Sequence, residues 1–192
     1  MTNRPRALLI LFLLASAARA DDSRRAFALD DLYRVKGVGE PAISPDGRTV
    51  VYTVSTNDWA AKKRTAALWR TDADGGNPRQ ITSGEALDEH PAFSPDGKTL
   101  AFVSTRTGEP QLFFLPLAGG EAEQRTRFPD GISRPAFSKD GRFVVFAADV
   151  TPACGADAAC NKKVADAREA NKLKAHLADS LLYRHWTEWK DG

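Results

Sequence analysis

The sequence lacks the short motifs on which many enzyme active sites are built. It contains no Gly-x-Ser-x-Gly nucleophile motif, no glycine-rich phosphate-binding loop, no His-Glu-x-x-His zinc motif and no EF-hand pattern. Its three histidines, His90, His176 and His185, have no serine, cysteine or paired carboxylates at a catalytic spacing. The sequence therefore gives no candidate catalytic residue, cofactor-binding residue or metal ligand, and we expect no cofactor.

An excess of basic residues is also missing once the first 20 residues are set aside. The formal net charge is +2, but three of the 27 basic residues lie in this segment, and all 25 acidic residues follow it. The remainder carries about −1, so nothing in its charge indicates a nucleic acid or an anionic membrane as partner.

The first 20 residues have the pattern of a signal peptide. Arg4 and Arg6 precede an apolar run from 7 to 17, and Ala18-Arg19-Ala20 has the small-x-small form of a cleavage site. An uncleaved membrane anchor is the alternative, but the run is shorter than the ~20 residues that a spanning helix needs. We expect cleavage before Asp21, export to the periplasm or the medium, and no membrane attachment afterwards.

Cysteine is scarce, with only Cys154 and Cys160 present. An even number of cysteines behind an export signal favours a disulfide, which here would close a small surface loop. Two free thiols are the alternative. Zinc fits poorly, because no further Cys or His stands at ligand spacing.

One turn sequence occurs three times. Ser-Pro-Asp-Gly occupies 44–47 and 94–97, and Ser-Lys-Asp-Gly occupies 138–141. Proline and glycine supply the backbone angles of a tight turn, and apolar residues follow each copy on both faces of a predicted strand. We expect these strands to be buried on both sides.

A second anchor fixes the repeat length. Residues 68–82 align without a gap on 112–126, an offset of 44, and both copies contain a Gly-Gly pair that predicts a hairpin turn. The first copy has six extra residues within 56–66, which we interpret as a surface loop with Trp59 folded onto its own repeat or contacting a ligand. A period in the low forties with four strands per repeat is typical of a β-propeller blade.

The sequence thus predicts an all-β, incomplete β-propeller. We divide it into a signal peptide (1–20), a lead-in segment (21–38), blade 1 (39–84), blade 2 (85–130) and a partial blade 3 (131–192). Blade 3 leaves the repeat at a helical insertion of about 150–182, after which 181–189 is predicted as an aromatic strand. The acidic pairs at 30–31 and 88–89 are better explained by helix capping and blade-edge solubility than by acid-base catalysis.

Several segments together resemble a known family. They are the Leu-Asp-Asp-Leu-Tyr-Arg segment at 29–34, the repeated Ser-Pro-Asp-Gly turns with Gly-Gly hairpins, and Tyr-Arg-His-Trp-Thr-Glu-Trp at 183–189. In this combination, 26–192 resembles the N-terminal propeller portion of prolyl oligopeptidase family serine peptidases, in their exported acylaminoacyl-peptidase or dipeptidyl-peptidase branch. TolB-like propellers use the same turn.

The resemblance implies a seven- or eight-bladed propeller that admits short peptides to a C-terminal α/β-hydrolase domain. In that family the catalytic serine, aspartate and histidine lie in the hydrolase domain, so none is assigned here. Tyr183, Arg184 and Trp186 are candidates to line the substrate channel, with packing of the insertion on its blade as the alternative. We therefore predict a fragment of an exported serine peptidase, truncated before its catalytic domain.

Two other hypotheses stay open at this stage. One is a TolB-like binding module with a protein partner and no hydrolase activity. The other is an independent three-bladed interaction protein, which an unclosed ring with unpaired strand edges disfavours.

Overall fold

The computed structural model of the protein describes residues 25–172 and the backbone of 184–185 and 188–189. The predicted signal peptide and most of the predicted aromatic strand lie outside these residues. Along the described part of the chain, no helix combines the length and the apolar character that crossing a bilayer requires.

Two four-stranded antiparallel sheets follow one another along the chain, each in sequential strand order. This confirms the predicted four strands per repeat. Blade 1 contains β1 Gly37–Ile43, β2 Thr49–Asp58, β3 Lys63–Asp72 and β4 Arg79–Gln80, and blade 2 contains β5 Asp88–Phe93, β6 Thr99–Ser104, β7 Gln111–Pro116 and β8 Glu123–Gln124.

The third repeat begins as a two-stranded sheet of β9 Ser133–Phe137 and β10 Val144–Ala147. Helix α2 then runs over Ala158–Ala170, within the predicted insertion, and a short helix α1, Leu29–Arg34, precedes blade 1 and contacts β2. Within the predicted single aromatic strand, β11 Arg184–His185 pairs antiparallel with β12 Glu188–Trp189, so this segment contains two short strands. The boundaries between the lead-in segment and the three blades remain predictions.

The repeated turn closes through its own side chains. In blade 2, Ser94 Oγ donates to Asp96 Oδ1 at 2.6 Å and accepts from Thr99 N at 3.0 Å, while Lys98 N donates to Asp96 Oδ1 at 3.0 Å. The turns of blades 1 and 3 repeat this pattern. In each turn the hydrogen bond from the serine hydroxyl is the main cause that holds the pKa of the aspartate below its ordinary value, and the hydrogen bond from the backbone N–H is the second.

The turns also stack from blade to blade. A Cβ at Gly97 would lie 3.5 Å from Pro45 Cδ, and a Cβ at Gly141 would lie 3.5 Å from Pro95 Cδ. Both glycines have left-handed φ angles, 69° and 70°. The proline of one blade therefore packs against the turn glycine of the next, which relates the motif to blade packing as well as to turn geometry.

The hydrophobic core lies between blades. One cluster joins Val51 and Leu68 of blade 1 to Leu100, Phe102 and Phe113 of blade 2. A second cluster joins blade 2 to the third repeat, and includes Ala101, Val103, Leu112, Ile132, Phe137 and Val144. Each sheet thus buries its apolar face against its neighbour, as expected for repeats that cannot form a core alone.

The expectation that every second strand is buried on both faces is wrong for the third repeat. Leu100 and Phe102 of β6 pack against blade 1, and Ala101 between them packs on the side of the third repeat; all three are fully buried, because blade 2 has a neighbour on each side. Val145 of β10, the counterpart of Ala101, is 64% exposed, and Phe143, just before β10, is also exposed. Burial on both faces depends on a second neighbouring sheet, which a strand's own sequence does not reveal.

The six additional residues of blade 1 lengthen a hairpin instead of forming a loop. Pairing of β2 with β3 continues to Asp58 opposite Lys63, whereas pairing of β6 with β7 ends at Ser104 opposite Gln111. At its tip, Trp59 packs on Tyr33 of α1, with ring centroids 4.4 Å apart. The extended hairpin therefore contacts the lead-in helix, which corrects the interpretation of Trp59 as folded onto its own blade.

The same hairpin reaches the start of blade 2. Lys63 Nζ donates to the carbonyl of Glu85 at 2.7 Å, and Arg64 lies 3.2 Å from the Glu89 carboxylate. These contacts orient the extension along the boundary between the two blades.

The two cysteines form a disulfide, with their Cα atoms 5.5 Å apart. The loop that they close is organised by Asn161, which is buried and accepts from Thr151 N at 2.7 Å while donating to the carbonyls of Gly155 and Asp157. The Asp157 side chain caps α2 by accepting from the N–H groups of residues 159 and 160.

Candidate functional site

The first strands of the three repeats lie side by side. β1 and β5 are edge strands of their sheets, and β1 contacts β5 while β5 contacts β9. We call β1, β5 and β9 the inner strands, since the sheets extend outward from the line where these strands meet. A propeller has its central channel along such a line.

Each inner strand carries an ionisable residue in a left-handed conformation. Glu40, His90 and Arg134 have φ angles of 51°, 55° and 52°, and each directly precedes the proline that recurs in its repeat. Positive φ is uncommon for residues other than glycine and often marks a functional or strained position. Because the three residues occupy equivalent positions, the repeat itself produces this conformation.

A bulge accompanies the left-handed residue. The pairing register of β1 shifts between Gly39 and Ala42, and that of β5 shifts between Glu89 and Ala92. The proline within each bulge has no N–H, so the interrupted ladder loses no donor at that position. Bulges redirect side chains and occur often near functional sites, so the polar side chains here are placed by the backbone.

Glu40 links blade 1 to blade 2. Its carboxylate lies 2.9 Å from His90 Nδ1, and it accepts from the His90 backbone N–H at 2.7 Å and from Thr53 Oγ1 at 3.2 Å. The Glu40 and His90 side chains are each about one third exposed, at 37% and 34%. Both remain in contact with water, so the contact between the two side chains contributes at most about 1 kcal/mol.

The groups of this cluster are suited to hydrogen bonding with a ligand. The Thr53 hydroxyl donates to Glu40 and supports its carboxylate from within blade 1. Arg134 extends the row into the third repeat and is exposed. The inner strands thus present a carboxylate, an imidazole and a guanidinium in succession, groups that can hydrogen-bond a polar chain.

Sequence reasoning missed this cluster. It considered His90 alone, and it did not select Glu40, Thr53 or Arg134. A usable signal was present, because the residue before each repeated proline is ionisable in all three copies. The contact between Glu40 and His90, 50 positions apart, could not be read from spacing alone.

The acidic pairs have structural partners. Asp31 accepts from the Ala28 N–H at the start of α1, in agreement with a capping role. Asp88 does not serve solubility at the blade edge, because it is fully buried and bonded by Arg106 through both carboxylate oxygens at 3.1 Å. Among the described residues, no group of three or more His, Cys, Asp or Glu side chains could hold a metal ion.

The predicted channel residues lie near the end of the chain. Tyr183 and Trp186 lie outside the described residues, and Arg184 is described only as backbone, paired with Trp189. Their role in a channel stays a prediction.

The chain is similar in sequence to part of several proteins that are named as peptidases. It is 35% identical to dipeptidyl-peptidase 5 of Porphyromonas gingivalis over 153 residues, which is 79% of this chain and 21% of that protein. It is 33% identical to the uncharacterized peptidase YuxL of Bacillus subtilis over 123 residues, 64% of this chain and 19% of that protein. The chain thus spans about a fifth of the length of these relatives.

Solved structures share the fold. TolB from Acinetobacter baumannii superposes with a TM-score of 0.52 at 24% identity, over 59% of this chain and 27% of that one. An acylaminoacyl peptidase in complex with Z-Gly-Gly-Phe-chloromethyl ketone superposes with a TM-score of 0.50 at 17% identity, over 64% of this chain and 21% of that one.

The sheets, their inter-blade cores and the repeated turns agree with a family model described as the TolB beta propeller domain, which matches residues 32–170. This match covers most of the sequence and the described residues that form the three repeats. The chain therefore belongs to the TolB β-propeller domain family.

Proposed function

We propose that this chain supplies the first blades of a propeller that controls access of short peptides to a serine peptidase domain in a longer protein. The observation that carries the proposal is the 35% identity with a dipeptidyl-peptidase over 79% of this chain but only 21% of that protein. A segment that matches so small a part of a peptidase is suited to an accessory role, with hydrolysis carried out elsewhere in the protein.

The inner strands support a role in substrate passage. Peptides carry backbone donors and acceptors and charged termini, and a narrow channel must hydrogen-bond these groups to replace their water. Glu40, His90 and Arg134 supply hydrogen-bond acceptors and donors at equivalent positions of successive blades. This chain would select and guide peptides without cleaving them.

Export fits the same proposal. The N-terminal 20 residues have the signal-peptide pattern, and the Cys154–Cys160 disulfide is of the kind that persists in oxidising compartments. We accordingly propose that the protein acts in the periplasm or outside the cell, with short peptides as its substrate class.

The gene sequence beyond codon 192 tests the proposal directly. We expect about four further blades and then a Gly-x-Ser-x-Gly motif. The purified 192-residue chain should neither hydrolyse dipeptidyl p-nitroanilides nor react with a serine-hydrolase probe, whereas the longer protein should do both. Inhibitor-sensitive turnover by the 192-residue chain would contradict the assignment of catalysis to another domain.

Kinetic measurements on the longer protein test whether these residues limit the access of substrate. Glu40→Gln and Arg134→Gln should change kcat/KM for longer peptides more than for dipeptidyl p-nitroanilides. Arg142→Gln, in the turn after β9 and away from the inner strands, is the matched control. Equal effects on short and long substrates would contradict a channel role for these residues.

A TolB-like binding module is the second candidate function. The family match to a TolB propeller favours it. Blades followed by a stop codon, with no hydrolase motif, would support this candidate and contradict the first.

A further inference from the structure

Two arginines lie directly opposite each other on neighbouring strands of blade 1. Arg70 of β3 pairs with Arg79 of β4 in the antiparallel register. Like charges at directly opposite positions repel each other and destabilise a sheet. A folded protein can retain such a pair when an anion offsets the repulsion.

The structure provides no carboxylate partner for this pair among the described residues. None of the six ion pairs recorded there includes Arg70 or Arg79. Arg70 Nη2 makes a long contact of 3.4 Å to Thr49 Oγ1. The positive charge of the pair is therefore available to a ligand.

Nearby carboxylates are used by other groups. On the same hairpin, Asp72 accepts from Asn77 Nδ2 at 2.7 Å and Asp74 accepts from Gly76 N at 2.8 Å. Asp46 and Asp96 line a neighbouring cleft, but both accept bonds within their own turns. Each of the four carboxylates thus accepts hydrogen bonds within its own turn or hairpin, and none of them forms a recorded ion pair with Arg70 or Arg79.

Blade 2 demonstrates that the fold does not require this cationic pair. At the equivalent positions it carries Phe114 and Glu123, which pair in the same register. Glu123 contacts Arg125 at 2.7 Å, and the Arg125 guanidinium lies 5.1 Å from the Phe114 ring centroid. In blade 2 the negative charge of Glu123 offsets the positive charge of Arg125. The opposed arginines without a recorded carboxylate partner are therefore a feature of blade 1 and not of blade 2.

The arginines border a cleft between blades 1 and 2. Arg70 and Arg79 line a cavity of about 210 Å³ whose other walls include Ile81, Leu115 and the glycine pair at 119–120. Arg70 also lines the adjoining cleft of about 460 Å³, together with Lys98. The smaller cavity has room for a compact polar group but not for a folded domain.

We propose that Arg70 and Arg79 form a binding site for a small oxyanion, a phosphate or a carboxylate, at the boundary of blades 1 and 2. Guanidinium groups bind both anions through paired N–H donors. The adjoining cleft carries Lys98 together with Asp46 and Asp96, so the site depends on the charges of Arg70 and Arg79 themselves. The site is separate from the inner-strand cluster and does not depend on the proposed peptidase role.

Binding to the purified chain tests the proposal without any measurement of hydrolysis. Calorimetric titrations with inorganic phosphate, with a free-acid dipeptide and with the same dipeptide amide, at constant ionic strength, distinguish the two sources of the oxyanion. We expect phosphate or the free acid to bind, and the amide to bind at least about tenfold more weakly than the free acid if a carboxylate is the ligand.

The variants assign the binding to the two arginines. Arg79→Gln, at an exposed position, and Arg70→Gln should each weaken binding of the preferred anion by about tenfold or more. Arg125→Gln removes a compensated arginine from blade 2 and should leave it unchanged. Absence of binding, or equal binding by Arg79→Gln and the unmodified chain with a retained circular dichroism spectrum, would overturn the proposal.

Discussion

Replacing Arg106 with alanine should strongly destabilise the propeller, because the change leaves the buried Asp88 carboxylate without its cationic partner. In the structure Arg106 donates to both Asp88 oxygens at 3.1 Å, and its Nε donates to Ser104 Oγ at 2.9 Å. Asp88 is 0% exposed, whereas the Arg106 side chain is 32% exposed. The pair therefore joins an interior charge to the surface.

The magnitude follows from this burial. Breaking a buried ion pair by removing one partner costs about 3–5 kcal/mol. Partial exposure of Arg106 allows water to reach the carboxylate in the variant, which favours the lower end. The guanidinium also lies 4.8 Å from the Phe113 ring centroid and 5.4 Å from that of Phe102, contacts worth about 0.5–1 kcal/mol each. We expect a total loss of about 4–5 kcal/mol.

Arg125→Ala is the matched control. Arg125 also contacts a carboxylate, Glu123, and an aromatic ring, Phe114, but its carboxylate partner is 64% exposed. An exposed pair contributes little, so the control should lose less than about 1 kcal/mol. The two variants thus compare the same kind of arginine at a buried and at an exposed carboxylate.

Urea unfolding followed by tryptophan fluorescence measures both variants. The midpoint should fall much further for Arg106→Ala than for Arg125→Ala, with similar m-values. The double variant Asp88→Leu/Arg106→Met should recover much of the loss, because it removes the buried charge as well. If Arg106→Ala costs no more than Arg125→Ala, the reasoning that Asp88 depends on Arg106 is refuted.

Three further predictions concern the core, the turns and acid stability. Phe102→Ala, at a fully buried position between blades, should cost about 3–5 kcal/mol in urea unfolding, whereas Phe143→Ala at an exposed position should cost less than about 1 kcal/mol; equal losses would contradict the inter-blade core. Gly97→Ala and Gly47→Ala should each lower the free energy of unfolding by about 1–2 kcal/mol, because both glycines have φ near 70°. A much larger fall in the melting temperature for Gly97→Ala would mean that Pro45 leaves no room for a methyl group. Hydrogen bonds from Ser94 and Lys98 lower the Asp96 pKa below its ordinary value, so the carboxylate stabilises the fold above pH of about 4, and this contribution is lost as the pH falls through the lowered pKa. Asp96→Asn should therefore be less stable than the unmodified chain at pH 7, and the difference in stability should shrink towards pH 3. A difference that grows on acidification would contradict this sign.

The sequence predicted the features that depend on neighbouring residues. The Ser-x-Asp-Gly turn closes through hydrogen bonds that span at most five positions, so its three copies could be placed from the residues alone. The Gly-Gly hairpins and the four strands per repeat follow from the same kind of local information. Their regular offset of 44 residues was enough to indicate a propeller.

Contacts between residues that are distant in sequence were not predictable in this way. The pairing of Glu40 with His90 and the packing of Trp59 on Tyr33 bring together residues that no spacing rule connects. Likewise, Asp88 and Arg106 are 18 positions apart and could equally have been two solvated charges. Each of these contacts exists only once the elements that carry the residues have been brought together in the fold.

The amino-acid sequence by itself determined the turns, the strand count and the repeat length, because these follow from backbone preferences and hydrogen bonds within a few residues. The tertiary structure alone decided which faces are buried, which ionisable residues meet at the inner strands, and where Arg70 and Arg79 remain without a carboxylate partner among the described residues. The physical reason is that burial and charge pairing are properties of two adjacent blades, and the register between them is set by packing.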